Sequence, residues 1–592
     1  MQLNIEKLIQ NDKKVSLAIE ILAICLILLS MVNRVKYGID FTDESWYVAE
    51  PYAVAQLGAV PFVNNITQTP GFTIPLAFAF KLYVWINETT DGIFYFSRIL
   101  YIFMHFLISA LTIWVVNRYT SFKMPLWTLC VLLAANHCHS LYDLTYNTIG
   151  MIYFPLIMAL VFAEYDDNTF KSFLWGGLAG IFAVRATMGT PQVIVGLFIV
   201  LFYLCTQKKI KRIAGIVVGA IAACVVLFSV ISFFYGIERI LAWFSVFFQQ
   251  VYFSIESVAT WESTQSILIE FFRPVTFLVI AIGILRMKMK NRRKLFELIL
   301  QMAIVGSILL GILLSVKNQS YNGFLLLTYT WGLPYMYGVY GYRKYRYMNK
   351  ILIICMAYLS IFFFASFSDI YGFNGSRAYW NVVPLLLTIC IFVNTVNKRY
   401  NFHGMINYIA FLVCVASFSA FSLWCQYSYV YRDKPIQMLS AKVADGIWRG
   451  LYTTEKRAKN VVSLERYIQT ITNKKDRILC LDQVPFGYLM IHGKICSPTT
   501  ADASAYSYKV NNPKTYYWYF EMEKCVPNKI IYLDFGRDKR LSIDEPSWKF
   551  NEFVMGCYRF ASEYRNELFL VREYVLEDRK RAMTLISQKA FL

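Results

Sequence analysis

Apolar runs long enough to cross a bilayer recur along this chain, and no other feature restricts its fold as strongly. Read with a window of about 19 residues, they fall near 15–33, 97–117, 124–140, 148–164, 172–187, 190–206, 213–234, 265–285, 295–315, 321–340, 350–367, 378–396 and 405–425. Backbone polar groups in hydrocarbon must be satisfied within their own segment, so such runs predict α-helices. The chain is 592 residues long and 57% hydrophobic, with a mean hydropathy of +0.44. Those values predict a polytopic α-helical membrane protein of about thirteen transmembrane helices.

The formal charge of +20 does not form one basic patch or tail, so nucleic acid is not the expected partner. The cations instead cluster between apolar runs, in KKIKR (208–212), RMKMKNRRK (286–294), RKYR (343–346) and NKR (397–399). With Lys13 and Lys14 in the cytoplasm, an even number of spans precedes each of the four clusters and puts all of them on that side, as the positive-inside rule demands, and the odd total leaves the C-terminal part outside. No small-residue cleavage site follows the first run, which therefore reads as an anchor. The expected location is the cell membrane, multi-pass, with a cytoplasmic N-terminus and an extracytoplasmic C-terminal domain.

Two units follow: residues 1–430, carrying the spans, and residues 431–592, where charge is dense and no further 18-residue apolar run occurs. In the second unit the short β-rich runs 477–482 and 529–535 alternate with helical patterns such as 463–471, which predicts a soluble α/β domain. Within the first, the outer loop 34–96 contains an apolar segment, 71–86, too short to span and expected to lie in the interface. Residues 236–255 carry the same expectation. Nine of the thirteen cysteines lie at or before Cys425, in or near apolar runs. Cys480, Cys496, Cys525 and Cys557 belong to the outer domain, and their spacing leaves the pairing open.

The outer loop opens with GIDFTDESWYVAEPYAVAQLGAVPF from Gly38. If residues 40–50 are helical, Asp40, Asp43 and Glu44 share one face, with Glu50 beyond Tyr47. Taken singly, each acid is a solvated or helix-capping carboxylate, with Thr42 a fair N-cap. Their position beside the bilayer, among Trp46, Tyr47 and Tyr52 and before turns rich in Pro and Gly, suits a cavity for a sugar ring.

The stretches DESWYVAEPYAVAQLGAVPF (43–62), TPGFTIPL (69–76) and SRIL (97–100) resemble the membrane glycosyltransferases of the GT-C fold. The likeness is to the branch of protein O-mannosyltransferases and aminoarabinose transferases, which use polyprenyl-phosphate sugars. It also covers the architecture of many spans followed by an outer domain, while little matches by sequence beyond residue 150. The resemblance implies that Asp43 is the general base for an acceptor hydroxyl and that the product is inverted. It implies that Glu44 orients the acceptor or tunes the base, with Asp40 a weaker participant and Trp46 and Tyr47 lining the substrate.

A departing lipid phosphate requires fixed cations near the outer interface. Arg98, at the position of an arginine in the mannosyltransferases, and Arg377, in NGSRAYW, are the expected phosphate ligands, with Arg185 and Lys317 behind them. Each arginine read alone is an interfacial side chain snorkelling to headgroups. Thr69 stands where the aminoarabinose transferases have a lysine, so phosphate recognition differs from that branch.

In the loop 136–150, Tyr146 and Asn147 are candidates for hydrogen bonds to substrate, and His137, His139 and Asp143 are weak candidates for a divalent metal. The mannosyl-type branch works without one, so no cofactor is required. Expected partners are a polyprenyl-phosphate-linked sugar, a glycan, lipid or protein acceptor, and the bilayer. Walker, dinucleotide, serine-elbow and zinc signatures are absent. The alternatives are a transporter or flippase of lipid-linked sugars, a polysaccharide polymerase or ligase, and a non-catalytic scaffold.

Overall fold

The computed structural model describes residues 2–61, 63–64, 73–122, 124–135, 142–164, 169–238, 348–367, 430–481, 485–500, 514–535 and 551–590, with isolated positions between 241 and 427 besides. Its first unit is helical: α1 (Gln2–Arg34), α2 (Asp43–Gln56), α3 (Thr73–Asn87), α4 (Ile93–Tyr119), α5 (Thr128–Ala135), α6 (Tyr146–Phe162), α7 (Phe170–Gly189), α8 (Val193–Thr206), α9 (Ile210–Tyr235) and α10 (Met348–Phe367). Among the described residues, three helices are long and apolar enough to cross a membrane: Leu17–Arg34 within α1, then α4 and α9. The remaining apolar helices of this unit are shorter or carry charge. The runs predicted at 265–285, 295–315 and 321–340 lie outside the described residues, as do nearly all of those at 378–396 and 405–425 and most of the segment 236–255. The segment expected in the interface is α3, whose Trp85 and Ile86 are exposed.

Glycine brings α7 and α9 together. A Cβ at Gly180 would run into the carbonyl of Ile216, and one at Gly219 into that of Gly177, so these backbones pack directly on each other. Small residues serve this purpose in a bilayer, where helix association depends on close van der Waals approach. The opposite face of α9 presents Val218, Ile221, Val225 and Phe233 outward, as a lipid-facing surface would.

The C-terminal unit is α/β and begins its strands with the short antiparallel pair β1 (Ala441–Lys442) and β2 (Tyr452–Thr453). Its five-stranded sheet has the order β4-β3-β5-β7-β6, from β3 (Arg477–Leu481), β4 (Lys494–Ile495), β5 (Lys529–Asp534), β6 (Tyr558–Arg565) and β7 (Leu570–Leu576). β3 pairs in parallel with β4 and β5, and β7 runs antiparallel to both β5 and β6. The period-two alternation of strands sends Ile478, Cys480, Ile531 and Leu533 into one core and Leu479, Leu481, Ile530 and Tyr532 into another. The first core takes Val461, Leu464 and Ile468 of α11 (Glu455–Ile471), and the second takes Tyr517, Phe520, Phe553 and Ile586 from helices late in the chain. Both faces are therefore covered, which accounts for strands that read as near-continuous apolar runs.

Cys496 and Cys525 form a disulfide, with Cα atoms 6.2 Å apart, while Cys480 and Cys557 are buried thiols.

The two units share a core. Phe41 packs edge-on against Trp448, Phe535 and Phe569, and Phe94 at the head of α4 stacks on Trp448 at 5.4 Å. Main-chain bonds join them as well. Tyr452 donates its N–H to the carbonyl of Lys36 at 2.7 Å, Gly38 donates to Tyr452 at 2.8 Å, and Gly92 donates to Gly446 at 2.9 Å. Gly38 has φ of +91°, and a Cβ there would strike Val430, so the close approach of the two segments requires glycine.

Candidate active site at the head of helix α2

The acidic stretch folds as a tight lead-in followed by α2, which begins at Asp43 rather than near Asp40. The three acids consequently do not share a face. Thr42 occupies the N-cap position but makes no side-chain cap; Asp40 does that work, accepting from the N–H of Glu44 at 2.8 Å and of Thr42 at 3.1 Å. Burial, and next the charge of Asp43, push the Asp40 carboxyl up to about 6.

Glu44 is buried, 1% exposed, and points at Arg98. The guanidinium reaches it with Nε at 2.5 Å and Nη2 at 2.7 Å, a bidentate pair. The remaining donors go to the carbonyls of Val35 at 2.7 Å, Gly38 at 2.8 Å and Tyr37 at 3.3 Å. An arginine has five N–H groups, and here all five have acceptors. The expectation for Arg98 was a lipid phosphate; the structure turns it toward Glu44 and the chain leaving α1, with no donor left over. Glu44 is likewise engaged in that lock rather than open to an acceptor.

Asp43 faces the other way. Its side chain is 37% exposed and lies at the positive end of α2. Tyr431 donates its hydroxyl to Oδ2, and Arg432 lies 3.1 Å from Oδ1 while also donating to the Thr42 hydroxyl. Burial and then Asp43 raise the Tyr431 hydroxyl far above its ordinary range, so it stays a donor. Burial, the largest single effect, would lower the Arg432 guanidinium, but Asp43, Asp40, Tyr431 and Tyr47 together hold the group above its ordinary value. Trp46 and Tyr47 are both buried, and the Trp46 indole donates to Glu50 at 2.8 Å. They contribute to the core of α2 instead of facing outward as a sugar platform.

Asp143 is also brought to this region. Its Oδ1 accepts from Ser97 at 2.6 Å and from the Leu144 N–H at 2.8 Å, and its Oδ2 is buried with no hydrogen-bond partner among the described residues. Burial, and then the neighbouring Glu44, push its carboxyl up to about 7, so it carries a proton over part of the neutral range. Tyr146 and Asn147 open α6 just beyond it. Arg185 lies in α7, hydrogen-bonded to Tyr153. His137, His139, Arg377 and Lys317 lie outside the described residues, and among the described residues no cluster of three His, Cys, Asp or Glu side chains could hold a metal. A small recess of about 10 Å³, room for about one water molecule, lies beside the acids and is lined by Asp40, Glu44, Arg98, Tyr142 and Tyr431 among others.

Sequence reasoning missed the contribution of residues 430–433. Asp433 accepts from the Ile39 N–H at 2.9 Å and the Thr453 hydroxyl at 2.9 Å, and pairs with Arg457 at 2.9 Å. Arg457 also donates to the carbonyls of Ile39 at 3.0 Å and Arg432 at 3.2 Å. The signal was present as an Arg-Asp pair just past the last apolar run, the rule that singled out Arg377.

No protein-family model matches the chain, and no curated protein matches it.

Proposed function

We propose that this chain is a membrane glycosyltransferase that moves a sugar from a polyprenyl-phosphate donor to an acceptor hydroxyl outside the cytoplasm, with Asp43 as the general base. The observation that carries the reading is the divergence of the acids. Asp40 caps α2 and Glu44 is locked to Arg98, whereas Asp43 keeps a half-exposed carboxylate at a helix head, held by a tyrosine and an arginine. A base must reach the proton it takes, and of these three acids Asp43 has that access.

In the proposed step the acceptor O–H gives its proton to the Asp43 carboxylate as its oxygen bonds to the anomeric carbon. The bond from that carbon to the phosphate oxygen breaks, and the electron pair leaves with the polyprenyl phosphate. Attack from the face opposite the phosphate inverts the anomeric centre. Helices long and apolar enough to cross a bilayer suit a donor whose lipid chain lies in one, and the Cys496–Cys525 disulfide favours an oxidising side for the C-terminal unit. The resemblance of residues 43–62 to the polyprenyl-phosphate-dependent GT-C enzymes points the same way. Under this reading the N-terminus is cytoplasmic.

The test is turnover of a panel of isotope-labelled polyprenyl-phosphate sugars by wild type and Asp43→Asn in membranes at equal abundance. Release of label from one donor, reduced at least about a hundredfold in the variant, supports the reading. Equal release from both proteins, or none from folded wild type with every donor, would sink it.

A further inference from the structure

We propose that Arg432 forms a phosphate site, its Nη1 holding the base while its Nε–Nη2 edge takes an anionic phosphate ester; this rests on the glycosyltransferase reading. The distribution of donors carries the inference. Arg432 uses Nη1 on Asp43 and Thr42, and among the described residues no acceptor is bonded to Nε or Nη2. Its side chain is 31% exposed, next to the carboxylate assigned as base. Two adjacent N–H groups in a plane are the fork that phosphate oxygens match bidentately.

Neighbouring cations are differently committed. Arg98 has its five donors filled, and Arg457 is tied to Asp433 and to the carbonyls of Ile39 and Arg432. Among the described residues, Arg432 is the arginine at the acids that combines exposure with an open edge.

The backbone supplies a second observation. Arg432 has φ of +52°, a left-handed conformation unfavourable for a residue with a side chain. It is held there by Arg457, whose Nη1 and Nη2 both donate to its carbonyl at 3.2 Å, and by the Asp433 bond to Ile39. Strain retained by such over-determined support is characteristic of functional positions. The spacing is suitable too. A guanidinium with one hydrogen bond on each side separates two oxygens by roughly 7–8 Å. An in-line displacement needs a similar separation, because the acceptor oxygen and the anomeric carbon must fit between base and leaving phosphate.

The phosphate could belong to an isoprenyl lipid or be free orthophosphate, and binding separates the two. Purified full-length protein in a neutral detergent is titrated with citronellyl phosphate and, separately, with inorganic phosphate, using wild type, Arg432→Gln, Arg432→Lys and Asp43→Asn. The expected result is saturable binding of citronellyl phosphate that weakens about tenfold to a hundredfold in Arg432→Gln. Arg432→Lys should fall between, because it restores charge without the fork, and Asp43→Asn should bind at least as tightly as wild type. Since the carbonyl of Arg432 and not its side chain anchors Arg457, unchanged melting of Arg432→Gln checks that the fold survives.

Equal affinity of wild type and Arg432→Gln overturns the phosphate site while leaving the glycosyltransferase reading to the label-release assay. Absence of binding by either probe to folded wild type overturns it as well. Binding that depends on Arg432 but is equally strong for orthophosphate upholds the site and assigns it to free phosphate, which removes support for a lipid donor.

Discussion

Replacing Arg98 with alanine separates the two roles open to this residue. The structure makes it a buried clamp: it is 6% exposed, its partner Glu44 is 1% exposed, and its other acceptors are the carbonyls of Val35, Tyr37 and Gly38. Truncation leaves a buried carboxylate without its counter-charge, a change that costs about 3–5 kcal/mol. The three carbonyls lose charged donors as well, so that range is a lower bound. Arg98→Ala is therefore expected to melt well below wild type in detergent, followed by thermal challenge and size-exclusion chromatography. The double variant Glu44→Met with Arg98→Met removes both charges, and it should recover part of the loss, with a coupling of about 1–3 kcal/mol. Asp43→Asn is the contrast: the Asp43–Arg432 pair is more than a third exposed on one side, and such pairs contribute about 1 kcal/mol or less. If Arg98→Ala stays monodisperse, melts with wild type and loses affinity for citronellyl phosphate, the clamp is wrong and Arg98 is a phosphate ligand after all.

Gly219→Leu would drive side-chain atoms into the backbone of α7 and is expected to cost about 1–3 kcal/mol or more and give heterogeneous protein on chromatography. Gly177→Ala, whose Cβ would meet the carbonyl of Gly215 at an ordinary 3.8 Å, should elute and melt like wild type; matching behaviour of the two variants refutes the packing. Glu465 is buried and accepts from the Ile447 N–H at 2.9 Å, and burial, with Asp91 adding to it, pushes its carboxyl up to about 7 from 4.5. A folded-state value above the unfolded one means that the native protein binds the extra proton, so this group's contribution falls as pH rises from about 4.5 to 7, by at most about 1.4 kcal/mol per pH unit. The melting difference between wild type and Glu465→Gln should move in the variant's favour across that window, and a difference independent of pH contradicts the assignment.

Much of the local structure could be read from residue order because its causes are local. Apolar runs of spanning length appear as α4 and α9 and as Leu17–Arg34 of α1, and the β-rich runs 477–482 and 529–535 became the adjacent parallel strands β3 and β5. The apolar segment 71–86 appears as the helix α3, of 15 residues. The expected acidic face failed for an equally local reason. Asp40 can accept from the N–H groups of Thr42 and Glu44 only from outside the helix, so capping removed it from the face that a helix over 40–50 would have given it.

What residue order did not disclose is which cation serves which acid, and the reason lies in sequence separation. Arg98 and Glu44 are 54 positions apart, and Arg432 is 389 from Asp43, with no periodic pattern linking either pair. The likeness to the mannosyltransferases and its place at the outer end of a span favoured Arg98, and its nearness to the lead-in is what buries it: in the second turn of α4 its guanidinium meets the carbonyls of Val35, Tyr37 and Gly38. A cation for a transient phosphate must keep donors unfilled, which is hard for a residue surrounded by its own chain. The start of the C-terminal unit, arriving from far along the sequence and fixed through Asp433 and Arg457, can present Arg432 from above the site with one edge open. On this argument the C-terminal unit completes the site, and shortening the chain before residue 431 should abolish phosphate binding even where the apolar helices still insert.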